Sequence, residues 1–215
     1  MFTGIIKEIG RIASVDRGNN IIRFEIACPV IRPEIHEGDS IAIDGCDLTA
    51  TILTSSGFRC DATLETIKRT TLGHLKPGSN VNLEPSLTPS TPISGHFVLG
   101  HIDGVGTVRN IKRIPDQAEL IVEPPKDLLR FIAQKGSITI SGAGLTVVDV
   151  TPETFSCWII PYTLDHTLLG SIRAGDRVNL EVDVLARYVI RALEMGVKPE
   201  GGRITEDFLR NHGFS

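Results

Sequence analysis

The chain of 215 residues lacks the marks of several protein classes. No run of Lys or Arg exceeds two residues, and the formal net charge is −4. Nucleic acid is therefore not an expected partner, because phosphate binding normally shows as a basic patch. No stretch of about 18 apolar residues occurs, so no membrane-spanning helix is predicted. The opening MFTGIIKEIG has no charged region before a long apolar segment, so no signal peptide is expected.

Cysteine is scarce and scattered. The four cysteines are Cys28, Cys46, Cys60 and Cys157; none forms a C-x-x-C pair, and no histidine lies at metal-ligand spacing from them. Neither a disulfide framework nor a zinc site is predicted. A reducing cytoplasm is the location that fits this cysteine usage.

The chain instead contains an internal repeat. The segment SIAIDGCDLTA at 40–50 recurs as SITISGAGLTV at 137–147, with six of eleven positions identical. The same offset of 97 relates VNLE at 81–84 to VNLE at 178–181. One offset shared by separate motifs predicts two copies of one fold.

Each copy has the pattern of an all-β domain. Ile41 and Ile43 alternate with smaller or polar residues, and Val178, Leu180 and Val182 alternate with polar ones. A period of two is typical of strands with one buried face. Closing such a sheet removes its exposed edges, so we predict a barrel of about six strands per copy. The expected units are residues 1–88 and 89–185, joined by the linker EPSLTPSTPISG.

The period changes after residue 184. Apolar residues then fall at helical spacing, at Leu185, Tyr188, Val189, Ala192 and Leu193, and Gly196 is a plausible stop. We expect this apolar stripe to be buried between the subunits of an oligomer. The alternative is that it packs against the barrel of its own chain. Residues 186–215 therefore form a C-terminal helix and tail, with a second short helix predicted from Thr205 to Gly213.

Four segments carry a family resemblance. They are MFTGI, ETIKRTTLGHLKPGSNVNLE, SGHFVLGHIDGVGTV and GDRVNLEVDVLARYV, in this order. Over about residues 1–195 the chain resembles the riboflavin synthase family of two lumazine-binding repeats. The resemblance implies two tandem six-stranded Greek-key β-barrels and a C-terminal helix that holds a homotrimer.

The resemblance also implies a reaction. Two molecules of 6,7-dimethyl-8-ribityllumazine exchange a four-carbon unit, giving riboflavin and a ribitylaminopyrimidinedione, with no metal or redox cofactor. The N-terminal barrel of one subunit would face the C-terminal barrel of a neighbour, with the active site between them. Two homologous pockets suit a reaction between two identical molecules.

Carried over by position, the resemblance implies substrate-binding residues in both barrels. The N-terminal pocket would use Gly4, Ile5, Ile6, Asp47, Leu48, Thr49, Asp61, Ala62, Thr63, Leu64, Glu65 and Thr66. The C-terminal pocket would use Gly100, His101, Ile102, Gly144, Leu145, Thr146, Ile160, Pro161, Tyr162, Thr163, Leu164 and Asp165. Glu65 would bind the ribityl chain, and Lys135 would reach across from the adjacent subunit. His96 and His101, five residues apart beside glycines, are both candidate functional histidines.

The chain departs from the family pattern at the pockets. Asp47 stands where the family has cysteine, Ser141 and Gly144 stand where it has aspartate and serine, and Tyr162 replaces a histidine. One hypothesis is an active enzyme in which His101 and Thr146 assist deprotonation and Asp47 acts as a polar or basic group. The other is a non-catalytic paralogue that binds a lumazine or flavin.

Overall fold

The structure is a computed structural model that describes residues 1–196 and residue 210. Among these residues, no helix has the length and apolar character needed to cross a membrane. The second predicted helix, between Thr205 and Gly213, lies outside the described residues apart from Arg210.

The first barrel is a closed antiparallel sheet with the strand order β1-β2-β5-β4-β3-β6. Its elements are β1 (Glu8–Arg17), β2 (Ile21–Ala27), β3 (Ser40–Ile43), β4 (Cys46–Leu53), β5 (Gly57–Thr63), α1 (Leu64–Arg69) and β6 (Asn80–Pro85). The inward-facing residues, among them Phe24, Ile41, Phe58 and Leu83, form one fully buried core. The predicted barrel of six strands is confirmed.

The second barrel repeats the first. Its elements are β7 (Gly104–Ile114), β8 (Gln117–Glu123), β9 (Ser137–Ile140), β10 (Ala143–Val150), β11 (Phe155–Ile159), α2 (Pro161–His166) and β12 (Arg177–Val182). The closed order β10-β11-β8-β7-β12-β9 is the same Greek-key cycle as in the first barrel. The chain then enters α3 (Val184–Glu194), capped by the Asp183 carboxylate, which accepts the Leu185 N–H.

The recurring VNLE motif explains how the barrels hold each other. The Asn82 side chain donates to the Ser141 carbonyl at 2.8 Å and accepts from the Leu168 N–H at 2.9 Å. Asn179 does the same in reverse, donating to the Asp44 carbonyl at 2.9 Å and accepting from the Thr71 N–H at 2.7 Å. Both asparagines are fully buried, so each amide needs these partners. The two repeats are therefore joined by reciprocal, internally symmetric bonds.

Candidate functional site

The glutamates of the two VNLE motifs each bind the backbone of a short leading segment that precedes a barrel. The leading segments are residues 3–6 before the first barrel and 99–102 before the second. Glu84 accepts from the N–H groups of Thr3 and Gly4 at 2.7 and 3.0 Å. Glu181 accepts from those of Leu99 and Gly100 at 2.6 and 2.9 Å. Burial raises the pKa of Glu84, and it raises that of Glu181 to about 7. The hydrogen bonds from the backbone oppose both shifts.

Each leading segment then crosses to the opposite barrel. The Gly4 carbonyl accepts the Gly144 N–H at 2.8 Å, and the Gly100 carbonyl accepts the Asp47 N–H at 3.0 Å. Gly4 and Gly100 both have φ of +80°, a left-handed backbone conformation that favours glycine. Ile6 accordingly packs on the second core and Ile102 on the first.

These hydrogen bonds place each segment against the barrel other than the one with which the sequence analysis grouped it. Gly4, Ile5 and Ile6 were expected with the N-terminal pocket, but they lie against Gly144 of the second barrel. Gly100, His101 and Ile102 were expected with the C-terminal pocket, but Gly100 lies against Asp47 of the first. The reason is the bond pattern, in which a glutamate fixes the N–H groups and the other barrel receives the carbonyl. Each site is therefore built from both repeats.

The site in the second barrel is a cleft of about 280 Å³. Its lining residues are Thr3, Ile5, Ser94, Gly95, His96, Ser137, Gly144, Leu145 and Thr146. Ser137 lies opposite Thr146 in the β9–β10 hairpin, so both side chains belong to one face of the sheet. A cleft with an apolar wall and several hydroxyl groups suits a flat heterocycle with a polyol chain.

The sequence assignment missed part of this cleft. Ser137 could have been found, since a two-residue turn at Ser141–Gly142 pairs Ile140 with Ala143 and hence Ser137 with Thr146. Ser94 and Gly95 belong to the linker, and no periodic pattern places a linker in space. His96 was singled out as a candidate, and the structure places it in the cleft.

The site in the first barrel carries Asp47, Leu48 and Thr49 along β4. Cys46 is buried in the core while Asp47 is half-buried, which confirms that the two side chains face opposite ways. Burial raises the pKa of the Cys46 thiol to about 12, helped by the negative charges of Asp47, Asp44 and Glu181. The thiol therefore stays neutral, and Asp47 supplies the charge on the outer face.

His101 and Thr146 do not share a cleft. His101 is exposed and lines a separate cleft of about 320 Å³ with Leu99, Asp103, Glu181 and Arg187 among its walls. The Asp103 carboxylate there accepts the Val182 N–H at 2.7 Å and pairs with Arg187 of α3. The sequence analysis expected an active site between two subunits, so the separation of His101 and Thr146 within one chain leaves their shared role a prediction.

The remaining candidates lie on and beside the strands next to the two sites. Asp61 and Ala62 belong to β5, which pairs with β4; Thr63 caps α1, and Leu64, Glu65 and Thr66 form its first turn. Asp61 pairs with Arg23 at 3.5 Å. Glu65 is fully exposed and bonded to Arg69, whose hydrogen bond and charge lower the Glu65 pKa. A ribityl hydroxyl would have to share Glu65 with that arginine.

The corresponding residues of the second barrel surround α2. Ile160 precedes the helix, Pro161 begins it, and Thr163, Leu164 and Asp165 continue it. The Tyr162 ring, which replaces the family histidine, is exposed and stacks on His166 with centroids 4.0 Å apart. Lys135 is exposed in a turn with φ of +64°, so its side chain is free to reach a neighbouring molecule.

Ser141 does not line the cleft of about 280 Å³ that contains Thr146. Ser141 and Asp44 occupy equivalent turn positions with φ of +45° and +47°, where the two barrels meet. The serine at position 141, where the family has aspartate, therefore changes the contact between the barrels.

A family model described as lumazine binding domain matches residues 3–86 and again 99–183. Over 215 residues, all of both chains, the sequence is 40% identical to a riboflavin synthase of Actinobacillus pleuropneumoniae and 35% identical to one of Bacillus subtilis. Two solved structures of LumP, with riboflavin and with 6,7-dimethyl-8-(1'-D-ribityl) lumazine, are similar at TM-scores of 0.79 and 0.77. They are 27% and 26% identical, and each comparison covers 85% of this chain and 99% of the other.

Proposed function

Because the chain belongs to the riboflavin synthase family, we propose that it converts two molecules of 6,7-dimethyl-8-ribityllumazine into riboflavin and a ribitylaminopyrimidinedione. The observation that carries this proposal is similarity along the whole chain, both repeats included, to curated enzymes of that name. A reaction between two identical molecules needs two binding sites, and the fold supplies two equivalent positions. The units that we propose to carry them are residues 1–88 and 89–185, with residues 186–215 as the assembly segment.

We propose that orientation is the main contribution to catalysis. Holding two reactants face to face can supply roughly 7–11 kcal/mol of barrier reduction. One bound molecule loses a proton from its 7-methyl group, and the resulting carbon nucleophile adds to C7 of the other molecule. Side chains near the two rings need to provide only modest acid–base help.

The proposed roles follow the geometry of the two sites. Asp47 and His101 serve the ligand of the first barrel, because the Gly100 carbonyl ties their segments together. Thr146, Ser137 and Ile5 line the cleft that receives the ligand of the second barrel. We propose that the other candidate positions also contact the substrate.

We propose a homotrimer held by α3 as the working assembly. The stripe of α3 lies on the surface of the chain, with Tyr188 at 72% and Leu193 at 64% exposure. Burying such a stripe against copies of itself removes apolar area from water. A neighbour's barrel can then bring its own ligand to the open side of each site.

The second candidate function is binding without catalysis. It is favoured by the likeness to LumP, which was solved with riboflavin and with a ribityllumazine, and by the missing side chain at Gly144. Incubation with 6,7-dimethyl-8-ribityllumazine separates the two candidates. The enzyme should form one riboflavin for every two lumazines consumed, over many turnovers. Bound lumazine that stays unchanged would reject catalysis and leave the binding function.

A further inference from the structure

The two sites obtain their histidines from different places. The leading segments align with Thr3 opposite Leu99, Gly4 opposite Gly100 and Ile5 opposite His101. The cleft of the second barrel therefore carries Ile5 where the first site carries His101. Its own imidazole is that of His96, which comes from the linker between the barrels.

Backbone contacts fix His96 over the cleft. Its N–H donates to the Thr3 carbonyl at 3.2 Å, and its ring Nε2 lies 3.3 Å from the Thr139 hydroxyl. Gly95 beside it packs so closely that a Cβ there would lie 2.0 Å from the Thr3 carbonyl oxygen. Hydrogen bonds thus fix both the backbone and the ring of His96.

The missing side chain at Gly144 makes room for this ring. A Cβ on Gly144 would meet Cε1 and Nδ1 of His96, both at 3.2 Å. The ring edge that bears Nδ1 therefore faces Gly144 across the cleft. Among buried side-chain nitrogen and oxygen atoms in residues 1–196, only Thr54 Oγ1 lacks a partner. Nδ1 of the half-buried His96 is not among the sealed atoms that lack a partner, so it is accessible beside Gly144 in the wall of the cleft.

We propose that His96 is the general base of the second barrel, with its Nε2–H donated to Thr139 and its Nδ1 lone pair directed at the ligand. This inference deepens the proposed function and rests on it. The C–H bond of the 7-methyl group breaks, the proton moves to Nδ1, and the electron pair spreads into the pteridine ring. The imidazolium then releases the proton to solvent.

Electrostatics suit a base that is neutral at working pH. Burial lowers the pKa of His96, and the nearby Asp183 carboxylate opposes that shift. The other cleft walls, which include Thr3, Ile5, Ser137 and Thr146, carry no titratable side chain. The ring should therefore be uncharged and able to take a proton above a pKa that is lower than usual.

The test measures deuterium entry into the 7-methyl group of bound 6,7-dimethyl-8-ribityllumazine in D₂O, beside riboflavin formation. His96→Gln keeps an amide able to bond Thr139 but removes the base, and it should slow enzyme-dependent exchange at least about tenfold. Gly144→Ala, which pushes the ring aside, should slow it in the same direction. The acidic limb of the pH profile should disappear in His96→Gln and persist in His36→Gln, the matched control, because the His36 side chain is 82% exposed and belongs to neither candidate site. Exchange at the wild-type rate in His96→Gln would overturn the assignment.

A second measurement uses the wild-type chain alone. ¹⁵N spectra, assigned by the signals missing in His96→Gln, should show His96 protonated at Nε2 and bare at Nδ1. Asp183→Asn, which preserves the helix cap, should lower the His96 pKa further. A proton on Nδ1 in the neutral ring would overturn the proposal even if riboflavin forms. Failure of the wild type to form riboflavin is a separate result, since it rejects the proposed function and leaves the tautomer to be read.

Discussion

Asp44 is a buried acid with a neutral counterpart in the second barrel. One of its carboxylate oxygens accepts the Asn82 N–H at 2.8 Å, while burial raises its pKa to about 7. Ser141 fills the equivalent turn without a charge. The second barrel thus contains an equivalent turn with a neutral side chain, which has no buried carboxyl group to protonate.

This contrast predicts how stability depends on pH. Because the pKa is raised in the folded chain, the folded state binds the proton more tightly, and stability falls as pH rises from about 4 to about 7. The loss from this single group has an upper bound of about 4 kcal/mol. Asp44→Asn keeps an acceptor for Asn82 and tolerates positive φ, so it should stabilise the chain at pH 8 and flatten this dependence.

Urea unfolding of both chains at pH 4.5 and pH 8 measures the effect. Asp116→Asn is the matched control, because Asp116 also has positive φ, at +60°, but is exposed. It should leave the pH dependence unchanged. Parallel pH profiles for wild type and Asp44→Asn would contradict the buried-charge account.

Asp47 places a negative charge beside the ligand proposed for the first barrel. Asp44 and Glu181 add to the negative potential there above about pH 7, where both carboxyl groups lose the proton that burial helps them to hold. Such a potential disfavours the negative charge that the first-barrel ring gains when the carbanion from the second barrel adds to its C7. Asp47→Cys should therefore raise riboflavin formation by about tenfold, or roughly 1.4 kcal/mol of barrier.

Asp47→Asn separates charge from sulfur chemistry. If the charge is the cause, the amide should raise turnover as the thiol does, across pH 5 to 9. A fall in turnover for both variants would instead identify Asp47 as a working acid–base group. Unchanged turnover in both would place Asp47 outside the reacting pocket.

At the scale of elements, periodicity predicted the strands and the helix, but it did not predict which segments contact which barrel. The period of two predicted the buried faces of β3 and β12, and the helical stripe predicted α3, which ends at Glu194 ahead of Gly196. The exchange of leading segments was missed because it depends on a few backbone hydrogen bonds that Glu84 and Glu181 accept. Those bonds involve residues about eighty positions apart, and no local pattern reports them.

The exposed stripe of α3 carries the assembly prediction. Lysines at positions 189 and 193, in the double variant Val189→Lys and Leu193→Lys, place two charges in the proposed interface and should yield smaller particles. Sedimentation velocity measures the change. Val30→Lys is the control, since Val30 is equally apolar and 69% exposed but lies outside α3. A double variant with wild-type mass would show that α3 does not hold the assembly.

At the scale of the whole molecule, the repeat accounts for two sites and the differences between copies make them unlike. Asp47 belongs to one proposed ligand site and Gly144 to the other, while the histidines come from different segments. The resemblance grouped the candidate residues by barrel, whereas backbone hydrogen bonds join Gly4 to Gly144 and Gly100 to Asp47 across the barrels. The duplicated fold could be predicted from the offset of 97; the division of residues between its sites needed the structure.

Calorimetric titration with an unreactive analogue of 6,7-dimethyl-8-ribityllumazine tests the central claim most directly. The claim is that one chain carries two unlike ligand sites. The titration should give two molecules bound per chain, with different affinities, because charge and histidine placement differ between the sites. Asp47→Asn should change one of the two affinities and leave the other. A single bound molecule per chain would contradict the account.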